Sequence, residues 1–107
     1  MSYWATNRQN VDRLRDDRDR AGILQLADTF RLGTHADSAA LERYARNAAA
    51  WLDATTPDMI SADAAALLRV GDILTYLHAG HLLQGVVLAI EGDRVTTNLG
   101  HDVTITR

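Results

Sequence analysis

The residue types that the sequence lacks narrow the chemistry open to it. The 107-residue chain contains no cysteine, one proline and one phenylalanine. Without cysteine, disulfides and thiolate metal sites are excluded. Apolar runs such as Val86–Ile90 are far shorter than the ~20 residues that a membrane span needs. The first residues also lack the apolar segment of a secretory signal. We therefore expect a cytoplasmic protein with no membrane partner.

Lysine is also absent, since all 11 basic residues are arginine, and they are outnumbered by 14 acidic ones. The chain thus lacks the flexible lysines that often contact phosphates non-specifically. Arginine without lysine, together with abundant alanine, is typical of a GC-rich coding sequence. The composition favours an origin in a high-GC bacterium or its phage.

The length predicts a single domain, residues 1–107. Apolar periodicity divides it into a helical part, 1–69, and a β-meander part, 70–107, so the predicted fold class is α+β. Three to four helices are expected. A charge-dense one covers Arg8–Arg20, and a second ends near Gly33, a natural C-cap. Gly22 leaves open whether these two are continuous. The third carries an apolar stripe, and Ser61 caps a short fourth helix. The stripe comprises Leu41, Tyr44, Ala45, Ala48, Trp51 and Leu52.

Turn signals define the predicted meander. A two-residue loop at Ala79-Gly80 would place His78 opposite His81 and Ile73 opposite Val86. A second loop at Gly92-Asp93 would pair Glu91 with Arg94, Ile90 with Val95 and Leu88 with Thr97. A mid-strand glycine, Gly85, marks a bend, a bulge or a close backbone approach. A fourth strand is expected over Val103–Thr106.

Alternation sorts the meander's side chains onto two faces. The predicted core face carries Ile73, Leu77, Leu82, Val86, Leu88, Ile90, Val95 and Leu99. The other face carries Leu74, Tyr76, His78, His81, Leu83, Val87, Ala89 and Thr96. This second face is too apolar to be simply solvated, so we expect the helix around Trp51, a partner protein or a second subunit to cover it.

Short motifs in the meander resemble those of small SH3-like barrels. G-D-I-L at 71–74, G-V-V at 85–87 and G-D-R-V-T at 92–96 follow the rhythm of that fold over about 35 residues. The resemblance implies a small barrel. It implies no particular activity, because that fold hosts many functions.

Two histidines form the clearest constellation of chemically active side chains. His78 and His81, opposed across the hairpin, would have Cβ atoms about 4.5–5.5 Å apart, close enough to reach one metal ion. A site would need further ligands, and the sequence does not place His101 or Asp102 beside the pair. We therefore predict no metal and no cofactor, and a hairpin tip with some pH sensitivity.

Enzymatic and nucleic-acid functions are disfavoured. The chain has no G-x-S-x-G elbow, H-E-x-x-H motif, Walker loop or G-x-G-x-x-G motif, so we expect no enzyme. The strand region is net negative, which opposes phosphate binding. A DNA-binding regulator using the arginine-rich first helix (residues 13, 15, 18 and 20) is the alternative hypothesis.

The favoured hypothesis is a small adaptor that contacts another protein or a second copy of itself, as a phage or mobile-element accessory or structural protein. The first helix has few apolar residues to hold it down, and the sheet is apolar on both faces. The predicted partner-binding residues are Tyr3, Trp4, Val11, Leu14, Tyr76, His78 and His81. The alternative, which we consider equally well supported, is that Trp4, Val11 and Leu14 pack within the domain and do not bind a partner.

Overall fold

The computed structural model describes residues 2–53 and 57–106, and the chain divides into two compact units, Met1–Leu52 and Asp53–Arg107. The first holds the helices α1 (Tyr3–Asp16), α2 (Arg20–Leu32) and α3 (Ser38–Asp53). The second holds β1 (Met59–Ser61), α4 (Ala62–Ala66), β2 (Ile73–His78), β3 (His81–Glu91), β4 (Arg94–Thr97) and β5 (Asp102–Thr106). The predicted α+β class, with helices before the meander, is confirmed. The unit boundary precedes residue 69 because β1 and α4 belong with the strands.

A tight turn separates the first two helices. Arg18 has a φ of 55°, which a right-handed helix does not allow. Asp19 then caps α2, since its side chain accepts a hydrogen bond from the Gly22 N–H at 2.9 Å. The first two helices are therefore not continuous: α1 and α2 are separate, and the helical conformation is interrupted before Gly22.

The core of the helical unit follows the predicted stripe. Leu41, Ala45 and Ala48 of α3 are fully buried, and Tyr44 is nearly so. The first two helices contribute Val11, Ile23, Ala27 and Phe30. Gly33 does end α2, but its φ of −74° shows that no left-handed cap is formed. The side chain of Ser38 lies where a Cβ at that glycine would stand, so close approach accounts for the residue.

The five strands form a nearly closed, barrel-like sheet in the order β1-β5-β4-β3-β2. The pairs β2–β3, β3–β4 and β4–β5 are antiparallel, whereas β1 and β5 are parallel. The two edges of the sheet, at β1 and β2, meet where the Asp58 N–H donates to the Leu77 carbonyl at 2.7 Å. The small barrel implied by the resemblance is present in this coarse sense.

Both predicted hairpin loops are confirmed. His78 pairs with His81 and Ile73 with Val86, while Glu91 pairs with Arg94. Ala79 and Gly80 have φ values of 50° and 81°, the positive pair that a type I′ turn requires. The conformation of the Ala79-Gly80 turn thus sets the register between β2 and β3.

The predicted pairing of Leu88 with Thr97 is wrong. Val87 faces Thr97 instead, and the register shifts between Val87 and Ala89. Leu88 is the extra residue of this β-bulge, so side chains beyond it change faces relative to simple alternation. A bulge leaves almost no local sequence signal, which is why period-two counting missed it.

The assignment of the core face is also wrong for β2 and most of β3. Leu74, Tyr76 and Val87, from the other predicted face, are fully buried. The supposed core residues Leu82, Val86 and Leu88 are 37%, 36% and 54% exposed. Ile90 and Leu99 are exposed too, whereas Val95 is buried as predicted. The sheet curls with the Tyr76 side inward, so that Tyr76 meets Thr97 of β4 and His101, and Gly85 lies close to Thr97.

Two short elements complete the second unit. The fourth predicted strand is present as β5, one residue longer than expected. β1 was not predicted, because its three residues are too few for a periodic signal. Ser61 caps α4 as predicted, accepting from the Ala64 N–H at 3.2 Å. Within the described ranges, no helix combines the length and apolar character needed to cross a membrane.

Candidate functional site

A cluster of ionisable side chains lies at one end of the barrel. His78 ends β2, and its Nδ1 lies 2.7 Å from Oδ1 of Asp58. Its ring stacks on the ring of His101, with centroids 3.7 Å apart and planes inclined by 18°. An ionised carboxylate only accepts hydrogen bonds, so Nδ1 of His78 carries a proton in this pair. We name Asp58, Tyr76, His78 and His101 the histidine cluster.

The second imidazole connects the cluster to the barrel core. Nδ1 of His101 lies 3.0 Å from the hydroxyl of Tyr76, which also lies 3.2 Å from Oγ1 of Thr97. Tyr76 is fully buried, and Thr97 is 2% exposed. A buried phenol needs a hydrogen-bond partner, and here it has two. The hydroxyl can donate to a neutral His101 or accept from a protonated one.

Asp58 is held by its backbone as well as by its side chain. It has a φ of 57°, uncommon for a residue other than glycine. Its N–H donates to the Leu77 carbonyl at 2.7 Å, and its carbonyl accepts from the Thr104 N–H at 2.8 Å. Asp58 therefore links β2 to β5 while presenting its carboxylate to His78.

Of the predicted pair His78 and His81, only His78 belongs to the histidine cluster. His81 lies opposite His78 in the hairpin, as expected, but it is exposed. The histidine that stacks on His78 is His101, which sequence spacing did not place there. Across residues 2–53 and 57–106, no group of three or more His, Asp or Glu side chains is arranged to hold a metal ion.

A second feature is an uncharged outer surface on the β2–β3 ribbon. We define the ribbon face as Ile73, Leu77, Leu82, Val86 and Leu88. Ile73 pairs with Val86 and Leu77 with Leu82, so these four share one side of the ribbon. Thr75 and Gln84 form the pair between them, and no charged residue interrupts the set. Thr75 is 1% exposed, and Ile73 and Leu77 are half-buried, so the accessible part of the ribbon face is Leu82, Val86 and Leu88.

The predicted N-terminal anchors take up different positions. Tyr3 is 37% exposed, stacks on His35 at 3.9 Å and has its hydroxyl 3.3 Å from Ser38 Oγ. Trp4 meets the Tyr44 ring edge-on at 6.1 Å and is half-buried, as is Leu14. Val11 is fully buried. Val11 and Tyr76 thus serve the cores of their units, while Tyr3 and His81 are accessible.

Of the four arginines named for the DNA-binding alternative, Arg13, Arg18 and Arg20 are exposed and Arg15 is not. Arg15 is 9% exposed and pairs with Asp12 at 3.2 Å and with Asp16 at 3.4 Å. Arg13 is exposed and donates to the side chain of Asn10 at 3.5 Å. Acidic partners thus neutralise the buried member, Arg15, and DNA binding stays the alternative hypothesis.

The Tyr44 hydroxyl of the helical unit has a shifted pKa. Burial raises the pKa of its hydroxyl above 10.0, and the hydrogen bond to Asp12 raises it further. A nearby arginine, Arg8, acts in the opposite direction and lies over the Tyr44 ring at 5.5 Å. The hydroxyl thus stays protonated and donates to the carboxylate, tying α3 to α1.

No family model, curated protein or solved structure matches this chain.

Proposed function

We propose that this protein is a small non-enzymatic adaptor that works by protein–protein contact through the ribbon face, with a second copy of itself as the first partner. The observation that carries the proposal is the exposure of Leu82, Val86 and Leu88 on one side of the β2–β3 ribbon. Neighbouring exposed apolar side chains on a strand ribbon are typical of interaction surfaces.

The absence of charge within the ribbon face favours self-association. A two-fold symmetric interface brings the same surface of both subunits together. A charged residue near the axis would then oppose its own copy, and neither Ile73–Leu77 nor Leu82–Leu88 contains one. Two ribbon faces can therefore pack without opposing like charges.

The N-terminal aromatics provide a second predicted contact, with Tyr3 the more accessible. Trp4 packs on Tyr44, which leaves part of its ring for a partner. Composition adds the context of a phage or mobile-element accessory protein from a high-GC bacterium. The proposed function requires no cofactor.

Analytical ultracentrifugation tests the proposal. The chain should sediment as a concentration-dependent dimer, and Leu88→Arg should shift it to monomer because each subunit would bring an unpaired guanidinium group into an apolar interface. Leu32→Arg is the matched control, since Leu32 is 78% exposed but lies in α2. It should leave the dimer intact.

Two outcomes would contradict self-association through this face. One is a strict monomer up to millimolar concentration. The other is a dimer that Leu88→Arg leaves unchanged. Unchanged dimerisation in Trp4→Ala would remove Trp4 from the predicted contacts.

A further inference from the structure

The two stacked imidazole rings of the histidine cluster are groups that can gain positive charge on acidification. His78 and His101 have ring centroids 3.7 Å apart. Histidine is the side chain whose ordinary titration range lies near neutral pH. The two residues come from the end of β2 and from the turn between β4 and β5, so the stack joins distant parts of the chain.

The surroundings accommodate one positive charge better than two. Asp58 lies against His78, so a proton there forms an ion pair at 2.7 Å. The Tyr76 hydroxyl beside His101 is uncharged and can reorient towards Thr97, but it does not balance a second proton.

Two further ionisable groups near the cluster, among the residues that the structure describes, add no balancing charge. The Asp102 carboxylate, next to His101 in sequence, lies 3.8 Å from Arg94 and within 3.4 Å of the Thr96 hydroxyl. His81, opposite His78 in the hairpin, can only add positive charge on acidification. Two imidazolium rings face to face would thus share one carboxylate, Asp58.

We propose that the histidine cluster is a pH-sensitive latch: the stack is closed while at most one ring is protonated, and it opens when both are. Opening releases His101 from β2 and loosens residues 99–101 of the turn between β4 and β5. Hydrogen bonds from within the barrel hold the rest of that turn. Asn98 bonds to Val86 through both its backbone N–H and its side-chain oxygen, at 3.0 and 2.8 Å. The change is therefore local and leaves the strand pairing intact.

NMR on the full chain between pH 8 and pH 5 tests this latch. At pH 8 the His78 and His101 ring protons should show mutual NOEs, and these should disappear by pH 5. Amide exchange at residues 99–101 should rise several-fold over the same range, after correction for intrinsic exchange rates. Amides of β3 should change much less.

Two variants separate the latch from ordinary histidine titration. His101→Phe keeps an aromatic ring that cannot be charged, so the pH-dependent rise in exchange at 99–101 should be lost. His81→Gln is the matched control, because it removes a neighbouring histidine outside the stack, and it should behave as the wild type. Persistence of the NOEs at pH 5 would overturn the proposal. So would equal pH dependence in His101→Phe and the wild type.

Discussion

Gly85→Ala would test the close approach of β3 to β4 in the barrel. Gly85 is buried in β3, and a Cβ built there would lie 2.9 Å from Cβ of Thr97, with its Oγ1 and Cγ2 at 3.2 and 3.3 Å. Thr97 cannot move freely, since its hydroxyl contacts Tyr76 and the His101 carbonyl. β3 or β4 must therefore shift to admit the methyl group.

The expected cost follows from two opposing effects. Overfilling a packed core costs about 1–3 kcal/mol. Replacing glycine returns about 0.4–1 kcal/mol, because alanine restricts the unfolded chain more. We expect Gly85→Ala to lower the free energy of unfolding of the second unit by about 1–2 kcal/mol, a shift of roughly 1–2 M in the urea midpoint at a slope near 1 kcal/mol/M.

The assay must report on the barrel. Both tryptophans, Trp4 and Trp51, lie in the first unit, so their fluorescence would miss the effect. Urea unfolding should instead be followed through assigned β3 and β4 amide signals. Thr97→Gly removes all three close atoms, so its combination with Gly85→Ala should show a favourable coupling of about 1 kcal/mol. Unchanged stability of Gly85→Ala, or no coupling, would refute the reasoning.

Three further predictions concern contacts within single units. Tyr44→Phe removes a buried donor to Asp12, so the tryptophan-monitored unfolding free energy should fall by about 1–3 kcal/mol; no fall would show that the hydrogen bond adds nothing. Because the pKa of Tyr44 is raised in the folded state, its contribution is complete below pH 10 and is lost as pH rises through the folded-state value, so alkaline titration should destabilise the wild type more than Tyr44→Phe. Asp58→Gly keeps the positive φ and the backbone bonds but loses the carboxylate on His78, so barrel amides should remain protected while the His78 ring signals shift; Asp58→Val should disrupt both.

Short-range features of the fold could be predicted because their causes are local. The Ala79-Gly80 turn set the register from Ile73–Val86 to His78–His81 through its own backbone angles. Ser61 and the apolar stripe of α3 likewise act over one or two helical turns. The resemblance to small barrels added the curvature of the sheet.

The candidate site could be predicted only in part. The sequence singled out His78 and paired it with His81, but the side chains that surround it come from elsewhere. Asp58 precedes a three-residue strand with no periodic signal. His101 lies in a turn 23 positions after His78 along the chain. Which residues meet at the end of a barrel depends on how its strands close.

The sequence by itself determined the α+β class, the order of helices and strands, and the hairpin pairings, because these follow from apolar period and turn residues within a few positions. Only the tertiary structure decided which face of the sheet turned inward. Both faces were apolar, so alternation could not choose between them. Closure at Asp58, the approach of Gly85 to Thr97 and the bulge at Leu88 placed Tyr76 inside and left Leu82 and Val86 outside.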